Sequence, residues 1–383
     1  MQARKSRFYF DYAASTPMDE EVKKELISSL DVFSNPSAQY GSGREAKKYL
    51  DDARKRCAMF LQCNFDEIVF TSGSTESNNL AIFGAANHKK HGQVISISTE
   101  HASVREPLEK LKKDGFDVIY IDVDKYGLID MNSLVSNLNA ETILVTISYA
   151  SSEIGTIQPI SKISQAIKAY NAANNTRILF HTDASAASVV LPCDVSRLGV
   201  DLLTLSGSKI YGPKGIGVLY VRRGTEIQPL IYGGSQENGL RAGTEPIELI
   251  ASMAKALELV LENKKRDAYK FKELHNELIN LLNDKKIEYI YNGHKKDRLN
   301  NIVSIAFEGF NGEDLVAMLD SDGYEVATGA ACEANKEEPN RALLAIGLSK
   351  EEAQGSLRIS FGRGTQKPEL RGLVLAIFDI INQ

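Results

Sequence analysis

The sequence predicts an α/β protein with a large, mostly parallel sheet domain and a smaller α+β domain at its C-terminal end. Three observations carry this. Short apolar runs alternate with helical stretches from Glu67 to Asp183, the pattern of strands covered on both faces by crossover helices. After Tyr232 the pattern changes, and a long helix leads into a second set of strands and helices. The chain has 383 residues, enough for two cores.

The elements follow in order. Phe8 to Tyr12 reads as a short strand, and Asp19 to Leu26 as a helix with acids in its first turn, where the helix dipole favours them. Asn35-Pro-Ser is a loop. Gly43 to Leu61 is helical, with Ala46, Leu50, Ala53 and Cys57 three or four apart. Strands are expected at Glu67 to Phe70, Val94 to Ile97, Asp117 to Ile121, Thr142 to Ile147 and Arg177 to Asp183. Helices fall between them at Thr75 to Ala86, Val104 to Lys112, Met131 to Leu138 and Ile160 to Asn171. Leu202 to Leu205 and Gly217 to Val221 are two further strands. Pro246 to Leu261 forms a long helix, which the charged run Asn263 to Asp267 breaks or bends. A second helix from Tyr269 to Leu282 precedes strands at 287–291, 302–307 and 356–360 and helices at 313–320 and 369–382.

Composition narrows the function classes. The net charge is −5, so no general affinity for nucleic acid or an anionic membrane is expected. There is no run of about 18 apolar residues and so no expected membrane span. The basic start Met1 to Arg7 is followed by a stretch too short and polar for a signal sequence. Cys57, Cys63, Cys193 and Cys332 are scattered without a C-x-x-C pair, which suggests neither a metal site nor a disulfide framework. The cytoplasm is the expected location.

Chemistry concentrates where strands end. Ser206-Gly-Ser-Lys-Ile-Tyr-Gly-Pro-Lys-Gly215 sits between two strands, and its glycines suit a tight turn with close approach. Lys209 there reads either as a turn lysine or as one that forms a Schiff base, with Ser206 and Ser208 on a phosphate. Thr71-Ser-Gly-Ser-Thr-Glu-Ser-Asn78 leads from a strand into a helix N-terminus, an anion site or a plain N-cap at Ser74 or Thr75. Asp183 ends an apolar strand and needs a partner, either the next helix or a protonated ring nitrogen. His101 also follows a strand. In an open α/β sheet such residues meet at the carboxyl edge. A phosphate cradle, an imidazole, a carboxylate and a lysine converging there outline a pyridoxal phosphate site.

With these motifs goes a resemblance. The chain resembles type I cysteine desulfurases of the NifS and IscS kind, in the class V aminotransferase family. It does so through Asp11-Tyr-Ala-Ala-Ser-Thr-Pro17, Asn35-Pro-Ser, the Thr71 to Asn79 run, Thr99-Glu-His101, Glu153-Ile-Gly155, Ser206 to Gly215, Arg241-Ala-Gly-Thr244 and Ser356 to Gly362. The resemblance implies the fold type I architecture of pyridoxal-phosphate-dependent transferases. It divides the chain into a large cofactor-binding domain, residues 16–254, and a small domain, residues 1–15 and 255–383. It implies that Lys209 holds the cofactor covalently, Asp183 pairs with its ring nitrogen and His101 stacks on the ring and moves protons. Ser74, Thr75, Ser206 and Ser208 would hold the phosphate, Ser152 would lie beside the cofactor, and Thr244 would reach into the site of a second subunit. Asn35 and Arg358 would take the carboxylate of L-cysteine. Cys332, in the small-residue stretch Thr328 to Asn335, would receive the sulfur and pass it to iron–sulfur scaffold or other acceptor proteins. No metal is implied.

Four positions depart from the family pattern. Ser208 stands where the family has His before the lysine, and Ala186 where it has Gln after the ring-pairing Asp. Ser151-Ser152 replaces Asn-Asn, and Tyr40 replaces a His. Weaker or retuned cofactor binding is expected, since each lost hydrogen bond is worth roughly 0.5–1.5 kcal/mol. The sequence leaves open a selenocysteine lyase or other β-lyase, and a degenerate homologue that binds partners without catalysis.

Overall fold

Residues 7–329 and 340–382 are described by a computed structural model. The runs rich in Ile, Val and Leu become strands buried on both faces. Seven of them form one sheet, in spatial order Ile68–Thr71, Gly217–Val221, Leu202–Ser206, Leu179–Asp183, Thr142–Thr146, Gln93–Ile97 and Asp117–Ile121. Gly217–Val221 runs antiparallel to both neighbours, while the pairings from Leu202–Ser206 out to Asp117–Ile121 are parallel. Six strands therefore point the same way, and their carboxyl ends share one edge.

Helices cover both faces. One side is sealed by a cluster that includes Leu80, Ala81, Leu108 and Leu111 from the helices Ser74–Lys89 and Ala102–Lys113. The other side belongs to a larger core that includes Ile163, Ile167, Met253 and Leu257 and continues into the second sheet. That second sheet is antiparallel, in order Ser356–Ser360, Ile302–Ala306 and Ile290–Asn292. Phe8–Tyr9 pairs in parallel with Tyr324–Glu325, so the chain's start joins its C-terminal part.

One expected break is absent. Ile247–Asp284 is a continuous helix of 38 residues, about 57 Å long. The run Asn263 to Asp267 contains neither Gly nor Pro, and Lys and Arg are good helix formers. Asp267 is buried, accepting from Arg363 Nε at 2.7 Å, so the charged run anchors the helix to the end of the second sheet.

Two glycines in the lysine turn answer to close approach. A Cβ at Gly217 would lie 2.7 Å from the backbone carbon of Gly73, and one at Gly207 would lie 2.5 Å from the Pro213 carbonyl oxygen. Both are closer than side chains tolerate, so the turn before Ser74 and the turn carrying Lys209 are held against each other by the absence of side chains.

Candidate active site

The carboxyl edge of the large sheet opens into a cavity of about 270 Å3. Of the residues expected in the site, Ser74, Thr75, His101, Ser152, Asp183, Ser208, Lys209 and Arg358 line it. Ser206 stands just behind, its Oγ 3.1 Å from that of Ser208. Asn35 and Thr244 are exposed and do not line the cavity of this chain. The Asn35 side chain instead accepts from Ser37 N at 2.9 Å, closing its own loop. Cys332 lies outside the described residues.

Lys209 is positioned by a locked turn. Ser206 ends a strand, and Gly207–Lys209 makes one 3-10 turn. Thr16 clamps this turn, donating from its N and Oγ1 to the Ser208 carbonyl at 2.8 and 3.0 Å. Tyr211 then takes a left-handed backbone conformation, φ 62°, costly for a bulky residue. It is held there by Thr16 Oγ1, which accepts from Tyr211 N at 2.8 Å, and by Arg363 stacked 4.2 Å from its ring. The Lys209 amine donates to the carbonyls of Ala13 and Ala14 at 2.6 and 2.7 Å. Burial, and then the nearby Arg358 charge, hold it below its usual pKa, against the pull of Asp11, Asp183 and Glu153. A neutral amine, the nucleophilic form, is therefore more accessible than on a surface lysine.

Asp183 takes the first of its two expected partners, the turn that follows it, and adds one from a neighbouring helix. Its Oδ1 accepts from Ser185 N at 2.9 Å, capping the following turn, and its Oδ2 accepts from Asn78 Nδ2 at 2.7 Å. Behind it, Glu100 is buried and accepts from the N and Oγ of Ser148. Burial pushes the Glu100 carboxyl up to about 7, against those two bonds, and the Asp183 charge adds to the rise. His101 caps the helix Ala102–Lys113, its Nδ1 accepting from Ser103 N at 3.1 Å. Ser74 and Thr75 open the helix Ser74–Lys89, so exposed backbone N–H groups and two hydroxyls face the cavity from one terminus.

Arg358, only 2% exposed, closes the far end. Its Nη2 reaches Asp11 Oδ1 at 2.8 Å and its Nη1 reaches Glu153 Oε1 at 3.0 Å. Burial opposes its charge, but Glu153 and Asp11 outweigh burial and raise its pKa further. The other Glu153 oxygen accepts from Asn340 at 3.0 Å. Asn78, Glu100 and Glu153 lie within the sequence motifs, but the sequence assigns them no role. Their sequence neighbours are mostly polar, so no local pattern marks them as buried.

The departing positions line the same cavity: Ser151, Ser152, Ala186 and Ser208. Ser151 Oγ accepts from the N–H groups of Glu153 and Ile154 at 3.2 and 3.3 Å, so its hydroxyl serves the turn. Tyr40 is exposed and precedes the helix Gly41–Leu61, away from the cavity. Cys57 and Cys193 are buried free thiols and Cys63 is half-buried, all three pushed up to about 12 chiefly by burial. They are poor nucleophiles.

The aminotransferase class-V family model matches residues 8–373. The chain belongs to the class-V aminotransferase family. It is 42% identical to cysteine desulfurase IscS of Dictyoglomus turgidum, over 96% of this chain and 92% of that protein. It is 41% identical to cysteine desulfurase IscS 1 of Archaeoglobus fulgidus, over 93% of this chain and 92% of that one. Among solved structures, a NifS-like protein superposes with a TM-score of 0.91 at 31% identity, covering 98% of this chain and 99% of its own. A structure described as SspA in complex with cysteine gives a TM-score of 0.82 at 36% identity, covering 92% and 98%. The fold is thus that of the type I pyridoxal-phosphate-dependent enzymes, and class-V members depend on that cofactor.

The residues present fit it. An amine below its usual pKa, a carboxylate with two donors already in place and a helix terminus bearing two hydroxyls line one cavity with the imidazole. Ser185 Oγ also lines it and is buried without a hydrogen-bond partner, a polar group that a bound polar ligand would satisfy.

Proposed function

We infer that this chain is a cysteine desulfurase, which converts L-cysteine and an enzyme thiol into L-alanine and an enzyme persulfide. The observation that carries this is the convergence of Lys209, Asp183, His101 and Arg358 on one cavity, in a chain whose full-length relatives bear that name.

The residues divide the work by chemistry. Lys209 would hold the cofactor covalently, and its amine, when free, would be the base for the proton on the substrate Cα. Bound pyridoxal phosphate supplies the electron sink that makes this proton acidic. Asp183, its carboxylate oriented by Ser185 N–H and the Asn78 amide, would face the ring nitrogen of the bound cofactor as a hydrogen-bond acceptor. Ser74, Thr75 and Ser208 take the phosphate with the helix terminus, and Ser206 supports Ser208. His101, which lines the same cavity, would lie against the bound ring and serve proton transfer. Arg358 offers the substrate carboxylate a rigid guanidinium fork already oriented by Asp11 and Glu153. Cys332 is the thiol that takes the sulfur. The Glu153–Asn340 bond ties one flank of its segment to the residue that orients Arg358.

The same reading includes a homodimer, in which Thr244 reaches the partner's cavity, and gives Asn35 the substrate carboxylate together with Arg358. Glu237 supports this by fixing the loop before Thr244: it accepts from both Nη atoms of buried Arg54 and from Phe70 N at 2.6–2.9 Å. Residues 16–254 act as the cofactor domain and residues 1–15 with 255–383 as the small domain. Acceptors are iron–sulfur scaffold or other sulfur-carrying proteins, in the cytoplasm.

The test is to assay alanine and sulfide from L-cysteine, with and without reductant, in wild type and Cys332→Ala. A desulfurase yields equal alanine and sulfur and loses sulfide release in the variant. Undiminished sulfide release by Cys332→Ala would identify a β-lyase instead.

A further inference from the structure

Asp183 and His101, on different strand ends, are joined through two other side chains. Asn78 is fully buried on the helix Ser74–Lys89. Its Nδ2 lies 2.7 Å from Asp183 Oδ2 and 2.9 Å from Ser103 Oγ. A carboxylate oxygen only accepts, so the Asn78 atom beside it is the amide NH2, and this fixes which way the amide points. The second hydrogen of the same NH2 goes to Ser103 Oγ. The serine hydroxyl is then an acceptor on one side, and its own hydrogen is directed to His101 Nδ1, 2.9 Å away. The backbone N–H of Ser103 reaches the same ring nitrogen at 3.1 Å. Two donors meet on Nδ1, so Nδ1 carries the lone pair and the proton of the neutral ring resides on Nε2. Asn78 Oδ1 is buried without a partner. Turning the amide over would place that oxygen against the Asp183 carboxylate, so the observed orientation is the one the charge demands.

We propose that Asn78 and Ser103 are positioning residues that set the proton positions at both ends of the cavity: one amide nitrogen keeps Asp183 an acceptor and, through Ser103, holds His101 in the Nε2–H tautomer. Whatever group meets Nε2 therefore meets a donor. The proposal rests on the desulfurase reading for what that donor serves, whereas the tautomer is a property of the protein alone.

The test uses the cofactor-loaded protein labelled with 15N at histidine. The chain has six histidines, and the His101 signals are assigned by their loss in His101→Gln. Long-range proton–nitrogen correlation of wild type is expected to show the Nε2–H pattern for His101. Ser103→Ala removes the hydroxyl donor and is expected to mix the two tautomers and to lower kcat about two- to tenfold with KM unchanged. Ser103→Thr, which keeps the hydroxyl, is expected to restore both. Asn78→Ala is expected to act like Ser103→Ala. An Nδ1–H pattern in wild type overturns the proposal, as does an unchanged His101 pattern in Ser103→Ala, even where that variant melts earlier. Wild type and Ser103→Ala decide the matter even where Asn78→Ala does not fold. A wild-type protein that binds pyridoxal phosphate but releases no sulfur from cysteine would sink the desulfurase reading and leave the tautomer result standing.

Discussion

Replacing Arg358 by Leu tests whether the guanidinium is a buried keystone as well as a substrate group. Arg358 is 2% exposed, and its two forks meet Asp11 and Glu153 at 2.8 and 3.0 Å. Leu would leave two carboxylates sharing a desolvated site with no cation between them. Removing one side of a buried ion pair costs about 3–5 kcal/mol. For 383 residues at about 2.1 cal/mol/K each, the unfolding entropy is about 0.8 kcal/mol/K, so the melting temperature should fall by roughly 4–6 °C. Differential scanning calorimetry of the two proteins measures this. Glu153→Gln added to Arg358→Leu removes one stranded carboxylate, so the double variant should lose less than the sum of the singles, by about 1–3 kcal/mol. A drop of under about 1 °C with additive single effects would refute the argument that these three groups act as one unit.

Other predictions follow the same geometry. Glu100, whose carboxyl sits at about 7 against an ordinary 4.5, keeps a proton in the native state that the unfolded chain gives up. Its contribution to stability is therefore present below pH 4.5 and lost as pH rises to 7. Glu100→Gln lacks that loss, so its urea stability relative to wild type should rise by on the order of 3 kcal/mol between pH 5 and 8; a flat difference contradicts the burial argument. Ala186→Gln, which puts an amide donor into the cavity wall, should tighten cofactor binding about two- to tenfold in equilibrium dialysis; unchanged retention would mean that residue 186 does not face the cofactor. Gly217→Ala forces a methyl against the Gly73 backbone and should cost about 1–3 kcal/mol while weakening the phosphate end of the site, read as faster cofactor loss on dilution. Stability equal to wild type would show that the two turns are not in register.

The large sheet was legible in the sequence because parallel strands are buried on both faces and so read as continuous apolar runs such as Thr142–Thr146 and Leu202–Ser206. A shared carboxyl edge is what brings Ser74, His101, Asp183 and Lys209 to one cavity. The helix Ile247–Asp284 was misread at 263–267, because a dense charge run looks like an interruption when its one buried member, Asp267, cannot be told from its solvated neighbours. Long-range partners were invisible for a similar reason. Arg358 and Glu153 are 205 positions apart, and no local pattern announces that pairing. Asn78 was hidden by its setting in the helix Ser74–Lys89, where its polar neighbours Ser77 and Asn79 made it look like one more residue of a capped N-terminus. Asn35 and Thr244 come from the resemblance alone, and both are exposed in this chain.

Every role proposed for the cavity depends on a covalent link between the Lys209 amine and the cofactor. Borohydride reduction of the pyridoxal-phosphate-loaded protein, followed by proteolysis and peptide mass mapping, reads it directly. A reduced pyridoxyl adduct is expected on the peptide that contains Lys209 and is expected to be absent from Lys209→Ala. A loaded protein that carries no adduct on that peptide, or carries it on another lysine, would contradict it.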